Sequence, residues 1–158
     1  DPEMTSTQKG TKRHFGMKVH IGADSESGLV HTVVATTASV GDRPVMPQLL
    51  HGEEREVYGD KAYGDERDDA LARAVGLELK TMRQARRNHP LTKAQQRINR
   101  KISRIRAKVE FAFRVVKCQF GYVKTRYRGL QKNAAHQFAL FALANLYMAR
   151  RQLLKPQA

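Results

Sequence analysis

The chain has 158 residues, of which 41% are hydrophobic, so it can form one domain with a core and is not a disordered tail. Its net charge of +14 favours a polyanionic partner, with nucleic acid as the first candidate. The single cysteine, Cys118, excludes an internal disulfide, and no apolar run is long enough to span a bilayer, so we expect a cytoplasmic protein that does not bind membranes.

The first third of the chain predicts a β-hairpin. Residues 1–11 lack periodicity and are expected to form a loop or an ordered lead-in. Apolar and polar residues then alternate from His14 to Asp24, which predicts a half-buried strand. Its buried face should carry Phe15, Met17, Val19 and Ile21, and its other face Lys18 and His20. A turn at 24–28 leads to a returning strand of β-branched residues over 29–37, across which His20 and His31 are expected to face each other.

The middle of the chain predicts short elements in alternation. Residues 41–52 are expected to hold a short helix with Asp42 as its N-cap. A short strand should end at Asp60, followed by a helix over 65–76 and another strand over 77–82. Strands that alternate with helices indicate an α/β layer architecture.

Two long helices are predicted in the second half of the chain, after a basic loop over 83–93. The first should run from about Lys93 to Cys118, and the second, apolar on nearly all sides and therefore buried, from about Ala134 to Leu153. An apolar stripe on the first should pack on the sheet: Ile98, Ile102, Ile105, Val109, Val116 and Phe120. Cations occupy the far side of that helix: Arg97, Arg100, Lys101, Arg104 and Lys108.

One carboxylate, Glu110, interrupts this basic helix at the border of its apolar stripe. Arg106 and Arg114 lie one turn away on either side, so Glu110 is either an ion-pair partner at i,i+4 spacing or a metal-binding carboxylate surrounded by phosphate-binding cations. Asp60 presents the same choice, because it is either a turn cap or a functional acid at the carboxyl end of a strand. Composition alone does not decide between these alternatives.

Long segments of the chain closely resemble transposases of the insertion-sequence-five type, which belong to the DDE superfamily. The segments, which occur in family order and spacing, are "FGMKVHIGAD", "VYGDKAYGD", "IRAKVEFAFRVVKCQFGYVKTRYRGLQKN" and "LFALANLYMAR". The resemblance implies a ribonuclease-H-like mixed sheet with flanking helices, with residues 1–158 forming the C-terminal part of a catalytic domain whose first strand is missing. That strand carries the first aspartate in the family. We do not expect Asp24 to replace it, since Asp24 should lie at the far edge of the sheet from Asp60.

The resemblance also implies a site and its partners. Asp60 would be the second and Glu110 the third acid of a triad that binds Mg²⁺ (or Mn²⁺) for DNA strand cleavage and transfer. A Tyr-x2-Arg-x3-Glu-x6-Lys signature of related transposases is matched by Arg106, Glu110 and Lys117, whereas Ser103 stands at the tyrosine position. The expected DNA-binding residues are Arg104, Arg106, Lys108, Arg114, Lys117, Lys124, Arg126 and Arg128. Tyr122 and Tyr127 lie among these cations and could stack on bases.

The implied partners are transposon terminal inverted repeats, target DNA, and a second transposase copy or an upstream transposase fragment. Without the first aspartate, the 158-residue chain alone is expected to be inactive or weakly active. Two alternatives remain: a non-catalytic DNA-binding remnant of the same fold, and a basic component of a ribonucleoprotein.

Overall fold

The computed structural model describes residues 1–59, 66–85, 87 and 89–155 of the chain. Five strands and three α-helices make up these parts. In chain order they are β1 (Thr5–Lys9), β2 (Lys12–Ala23), β3 (Val30–Thr37), β4 (Glu56–Gly59), α1 (Glu66–Ala74), β5 (Glu78–Thr81), α2 (Lys93–Arg114) and α3 (Leu130–Leu153). A 3-10 helix at Arg43–Leu49 follows β3, and a π-helical turn at Val115–Gln119 extends α2.

The strands form one antiparallel and one parallel sheet. β2 pairs antiparallel with β1, and also with β3 in a register that runs from Met17 opposite Thr37 to Ala23 opposite Val30. β4 and β5 pair in parallel, joined by the crossover helix α1. This mixed α/β architecture confirms the predicted fold class and is compatible with the ribonuclease-H-like arrangement.

Most predicted elements are confirmed, but residues 1–11, expected to be a loop or an ordered lead-in, contain a strand that was not predicted. Residues Thr5–Lys9 form β1, which is joined to β2 by a two-residue turn at Gly10 and Thr11. Polar residues lie on both faces of this strand, so it shows no period of two. It forms because β2 supplies the backbone partners, and this contact outweighs the weak local pattern.

The core lies between the β2–β3 hairpin and the two long helices. Its buried members are Val30, Ala112, Val115, Val116, Phe141 and Ala144. Phe113 and Phe141 meet edge to face with their ring centroids 5.3 Å apart, which joins α2 to α3. A capping box is present at the start of α2, where Thr92 and Gln95 cap each other's backbone N–H groups.

Burial differs from prediction at several positions. α3 is not buried on all sides, since Phe138, Leu143 and Leu146 are 63%, 52% and 58% exposed. In α2, Ile98 is 53% exposed and does not pack on the sheet. On β2 the faces are less distinct than the alternation predicts, because Phe15 is exposed and His20 is buried.

The start of α3 also differs from prediction, since the helix begins at Leu130, four residues earlier than expected. Its first turn is capped from the other end of the chain: Gly129 N donates to Asp1 Oδ2 at 2.7 Å, and Leu130 N donates to Glu3 Oε2 at 2.7 Å. Carboxylates at a helix N-terminus satisfy free N–H groups and complement the dipole. In the described part of the chain, no helix is long and apolar enough to cross a membrane.

Candidate functional site

A cleft of about 670 Å³ lies between the hairpin sheet and the parallel sheet, with α2 as its floor. The hairpin contributes Val19 through Ser25, and the opposite wall is formed by Glu53 through Gly59. On both walls the lining residues are consecutive, so the cleft borders the strand edges and not a single face of each strand. The floor consists of Ile105, Arg106, Val109, Glu110 and Phe113.

Of the two predicted acids, Glu110 is among the described residues and Asp60 is not. Glu110 lies on α2 and lines the cleft directly. Asp60 lies outside the described residues, but Gly59, which precedes it, ends β4 and lines the same cleft. The structure thus brings Glu110 and the end of β4 to one cavity.

Glu110 makes no ion pair and accepts no hydrogen bond within the described part of the chain, and its side chain is exposed. The i,i+4 ion pairs that would have given it a purely structural role are therefore not formed. A carboxylate left without a partner among so many cations is available to a ligand in the cleft.

Arg106 and Ser103 fix the position of α2 relative to the parallel sheet. Arg106 Nη1 lies 3.4 Å from Met82 Sδ, and Ser103 Oγ lies 3.8 Å from the same sulfur. Met82 directly follows β5, so this part of α2 lies over the carboxyl end of that strand. In open α/β sheets, functional groups collect at this end.

Lys108, one of the predicted DNA-binding residues, is engaged within the protein. Its Nζ donates to the carbonyl oxygens of Ser25 at 2.7 Å and Glu26 at 2.6 Å. The backbone of Gly28 packs against the Lys108 side chain, since a Cβ built at position 28 would lie 3.0 Å from Lys108 Cβ. Lys108 therefore holds the β2–β3 turn on α2.

The remaining predicted DNA-binding cations are exposed. They are Arg104, Arg114, Lys117, Lys124, Arg126 and Arg128. The ammonium group of Lys117 lies 5.9 Å from the centroid of the Phe113 ring at the cleft floor.

The other expected feature of this surface, a pair of stacking tyrosines, is directed partly inward. Tyr122 and Tyr127 both contact the His136 ring edge to face, and burial raises the pKa of Tyr122.

Asp24 also lines the cleft, but its carboxylate closes the hairpin turn. Asp24 Oδ1 accepts hydrogen bonds at 2.6 Å from both the backbone N–H and the hydroxyl of Ser27. The Ser27 hydroxyl is the main reason that the pKa of Asp24 is lowered. This arrangement gives Asp24 a structural role in the turn.

The histidine pair expected across the hairpin is wrong. His20 Nε2 lies 3.0 Å from Thr36 Oγ1, and its Nδ1 lies 3.2 Å from Asp42 Oδ1. His31 instead meets His51, with the ring centroids 4.9 Å apart. The hairpin register shifts between Gly22 and Ala23, so the simple two-strand alternation did not place His31 correctly.

His31, His51 and Glu54 form a cluster that sequence reasoning missed. Their ligand atoms lie within 4.8 Å of one another and could hold a divalent cation. Burial and the nearby His51 lower the pKa of His31. Burial tends to raise the pKa of Glu54, but backbone N–H groups of His51 and Gly52 bring it below its usual value. The His-x2-Glu spacing at 51–54 was the only signal in the sequence.

A family model described as the transposase DDE domain matches residues 2–146. No solved structure gives a significant match to the chain.

Proposed function

Because this chain belongs to the transposase DDE domain family, we propose that it takes part in transposition by divalent-metal-dependent cleavage and transfer of DNA strands, as in transposases of the insertion-sequence-five type. Membership of the family implies a DNA substrate and a role in DNA recombination. One observation carries the finer proposal: Glu110, an exposed carboxylate with no partner in the described residues, lines the cleft at which β4 ends.

Asp60 and Glu110 are the residues proposed to hold Mg²⁺ or Mn²⁺. Gly59 and Glu110 line one cleft, and Asp60 follows Gly59 in the chain. These hard cations prefer carboxylate oxygens, so the donor set fits them. When bound, such ions supply Lewis-acid stabilisation of the attacking and leaving oxygens of the phosphate.

The cations around Glu110 are proposed to bind and orient the DNA backbone. Arg106 is half-buried at the cleft floor, and Arg114 and Lys117 are exposed on the following turns of α2. Their charges neutralise phosphates, while Glu110 keeps a carboxylate among them for the metal. Lys124, Arg126 and Arg128 extend this surface beyond the helix. The DNA would include terminal inverted repeats and target DNA.

A third carboxylate is proposed to come from an extended segment that lies in the cleft between β2 and β4. Over Met17–Ala23, β2 pairs only with β3 among the described residues, and β4 pairs only with β5. Both cleft walls therefore offer backbone N–H and C=O groups, over a floor that includes the apolar Ile105 and Val109. An upstream transposase fragment or a second copy would supply this segment.

The proposal is tested by comparing this chain with a version extended upstream by one strand that bears an aspartate. We expect little Mg²⁺-dependent strand cleavage by the chain alone and a clear gain in the extended version. Asp60→Ala and Glu110→Ala should each abolish that gain. Glu26→Ala is the matched control, because it removes an exposed carboxylate from the β2–β3 turn without touching the cleft residues named above.

The other outcomes of this test separate the alternatives. Robust cleavage by the 158-residue chain, lost in Glu110→Ala, would contradict the need for a third carboxylate. DNA binding with no cleavage by either version would favour a non-catalytic DNA-binding protein. A preference for structured RNA over DNA would favour the ribonucleoprotein component.

A further inference from the structure

We propose that His31, His51 and Glu54 form a binding site for a divalent transition metal of the Zn²⁺ class. Two imidazoles and one carboxylate converge with their ligand atoms within 4.8 Å of one another. Imidazole nitrogen suits Zn²⁺ and related ions, whereas Mg²⁺ and Ca²⁺ take oxygen ligands. Three protein ligands leave a fourth position of a tetrahedral ion open to water or to another ligand.

The distance between His51 and Glu54 already fits such an ion. His51 Nε2 lies 3.4 Å from Glu54 Oε1. Ligand atoms placed about 2.0–2.1 Å from a tetrahedral Zn²⁺ are about 3.3 Å from each other. The ligand nitrogen of His31 lies within 4.8 Å of the other two ligand atoms, and its side chain is exposed.

Neighbouring groups orient two of the three ligands, as the hydrogen-bond partners of metal ligands do in metal sites. His31 Nδ1 lies 2.9 Å from Thr32 Oγ1, which leaves Nε2 as its ligand atom. The Glu54 carboxylate accepts 2.8 Å hydrogen bonds from the backbone N–H groups of His51 and Gly52. The carboxylate is thereby held next to the imidazole with which it would share the ion.

Gly22 makes room for the His31 ring. A Cβ at position 22 would lie 2.7 Å from His31 Cε1 and 3.2 Å from its Nε2, and also 2.7 Å from the Leu49 carbonyl oxygen. Any larger residue would displace the imidazole or the chain that leads to His51. Because Gly22 has no side chain, β2 can lie against the His31 ring.

His31, His51 and Glu54 line the same cleft as Glu110. Glu54 precedes β4, whereas Asp60 follows Gly59 at the other end. The four residues of β4 span about 10 Å at about 3.3 Å per residue. The ion would cross-link β3, which carries His31, to the segment that enters β4. This inference does not depend on the proposed strand-transfer chemistry.

The simpler explanation is that the edge-to-face contact of the two rings and the His51–Glu54 ion pair hold the cluster without a metal. The two explanations differ in what Zn²⁺ does. Isothermal titration of the full chain with Zn²⁺, in the presence of excess Mg²⁺, measures stoichiometry and affinity. Co²⁺ is the second probe, because a tetrahedral nitrogen–oxygen site gives it a visible absorption band.

We expect one Zn²⁺ per chain, with the affinity lowered about 100-fold or more in His51→Gln and in Glu54→Gln. Gln keeps a hydrogen-bond acceptor at position 54, so Glu54→Gln should fold, and circular dichroism checks this. Thr32→Val should lower the affinity about 10-fold by freeing the His31 ring. His14→Gln is the matched control, since His14 is an exposed histidine on β2 outside the cluster.

Absence of stoichiometric Zn²⁺ binding by the wild-type chain would overturn the proposal. So would binding that is equally strong in the folded His51→Gln and Glu54→Gln variants, because the ion would then lie elsewhere. A Co²⁺ spectrum without a tetrahedral band would contradict the proposed ligand set. Zn²⁺ affinity should be unchanged in Glu110→Ala, and a loss there as large as in Glu54→Gln would place the ion at Glu110 and contradict the proposal.

Discussion

Val30 and Asn145 exchange two hydrogen bonds although 115 positions separate them in the sequence. Val30 N donates to Asn145 Oδ1 at 2.8 Å, and Asn145 Nδ2 donates to the Val30 carbonyl at 2.7 Å. The amide side chain thus pairs with the start of β3 as a neighbouring strand would, and it docks α3 on the hairpin beside the buried core.

Replacing Asn145 should destabilise the fold. We expect Asn145→Ala to lower the free energy of unfolding by about 2–3 kcal/mol, because the Val30 N–H and C=O lose their partners in a partly buried place. Urea denaturation measures this change. Asn145→Asp should also destabilise, since a carboxylate cannot donate to the Val30 carbonyl. An effect no larger than that of Gln152→Ala, an exposed change on the same helix, would contradict the docking role.

DNA binding should depend steeply on salt. If about five phosphates are contacted, log K should fall with log salt with a slope of about −4.5, because each contact releases counterions. Replacing both Arg126 and Arg128 by Gln should reduce the slope by about 1–2. Fluorescence anisotropy with duplex DNA over a range of salt concentrations gives the slope. Arg73→Gln, which removes a charge from α1, should leave it nearly unchanged, and a flat salt response of the wild type would contradict phosphate binding.

Lys108 should matter more for stability than for DNA binding. Lys108→Met removes two hydrogen bonds to the β2–β3 turn. We expect it to lower the free energy of unfolding by about 1–2 kcal/mol, since the Ser25 and Glu26 carbonyls lose a charged donor. Arg104→Gln, on the exposed side of α2, should show the reverse pattern: little change in stability and weaker DNA binding. Equal losses of DNA affinity in the two variants would show that Lys108 also reaches phosphate.

Stability should decrease as the pH falls from 7 to 5, partly through His20. Burial lowers the pKa of His20, Asp42 opposes this shift and Lys18 adds to it. The pKa is therefore lower in the folded state than the value of about 6.5 in the unfolded state. Between these two values the unfolded state binds more protons, so the stability contribution is complete above about pH 6.5 and is lost as the pH falls through the folded-state pKa.

The measurement that checks this prediction is urea denaturation of the wild type and His20→Gln at several pH values. The difference in stability between the two proteins should shrink on acidification, because Gln does not titrate. A difference that grows as the pH falls would show that the contact with Asp42 dominates and that the pKa of His20 is raised. Carboxylates that do not contact His20 affect both proteins alike and cancel in this comparison.

Local patterns predicted much of the fold. Alternation identified β2, and β-branched composition identified β3. The acidic start and closing glycine identified α1, and helical periodicity identified α2. The DDE transposase family was also readable from the motifs of the chain, and the family model that matches residues 2–146 confirms it. For the site, the border position of Glu110 followed from helix geometry alone. These features share one cause: each depends on residues a few positions apart, whose relative placement the backbone period sets.

Tertiary structure decided the remainder. β1 exists because β2 pairs with it, and α3 begins at Leu130 because Asp1 and Glu3 cap it from the other end of the chain. Neither partner can be read from local periodicity, since each contact joins segments that only folding brings together. The same holds for the metal-ligand cluster. His31 and Glu54 meet only once the register shift of the hairpin and the path into β4 are set by packing.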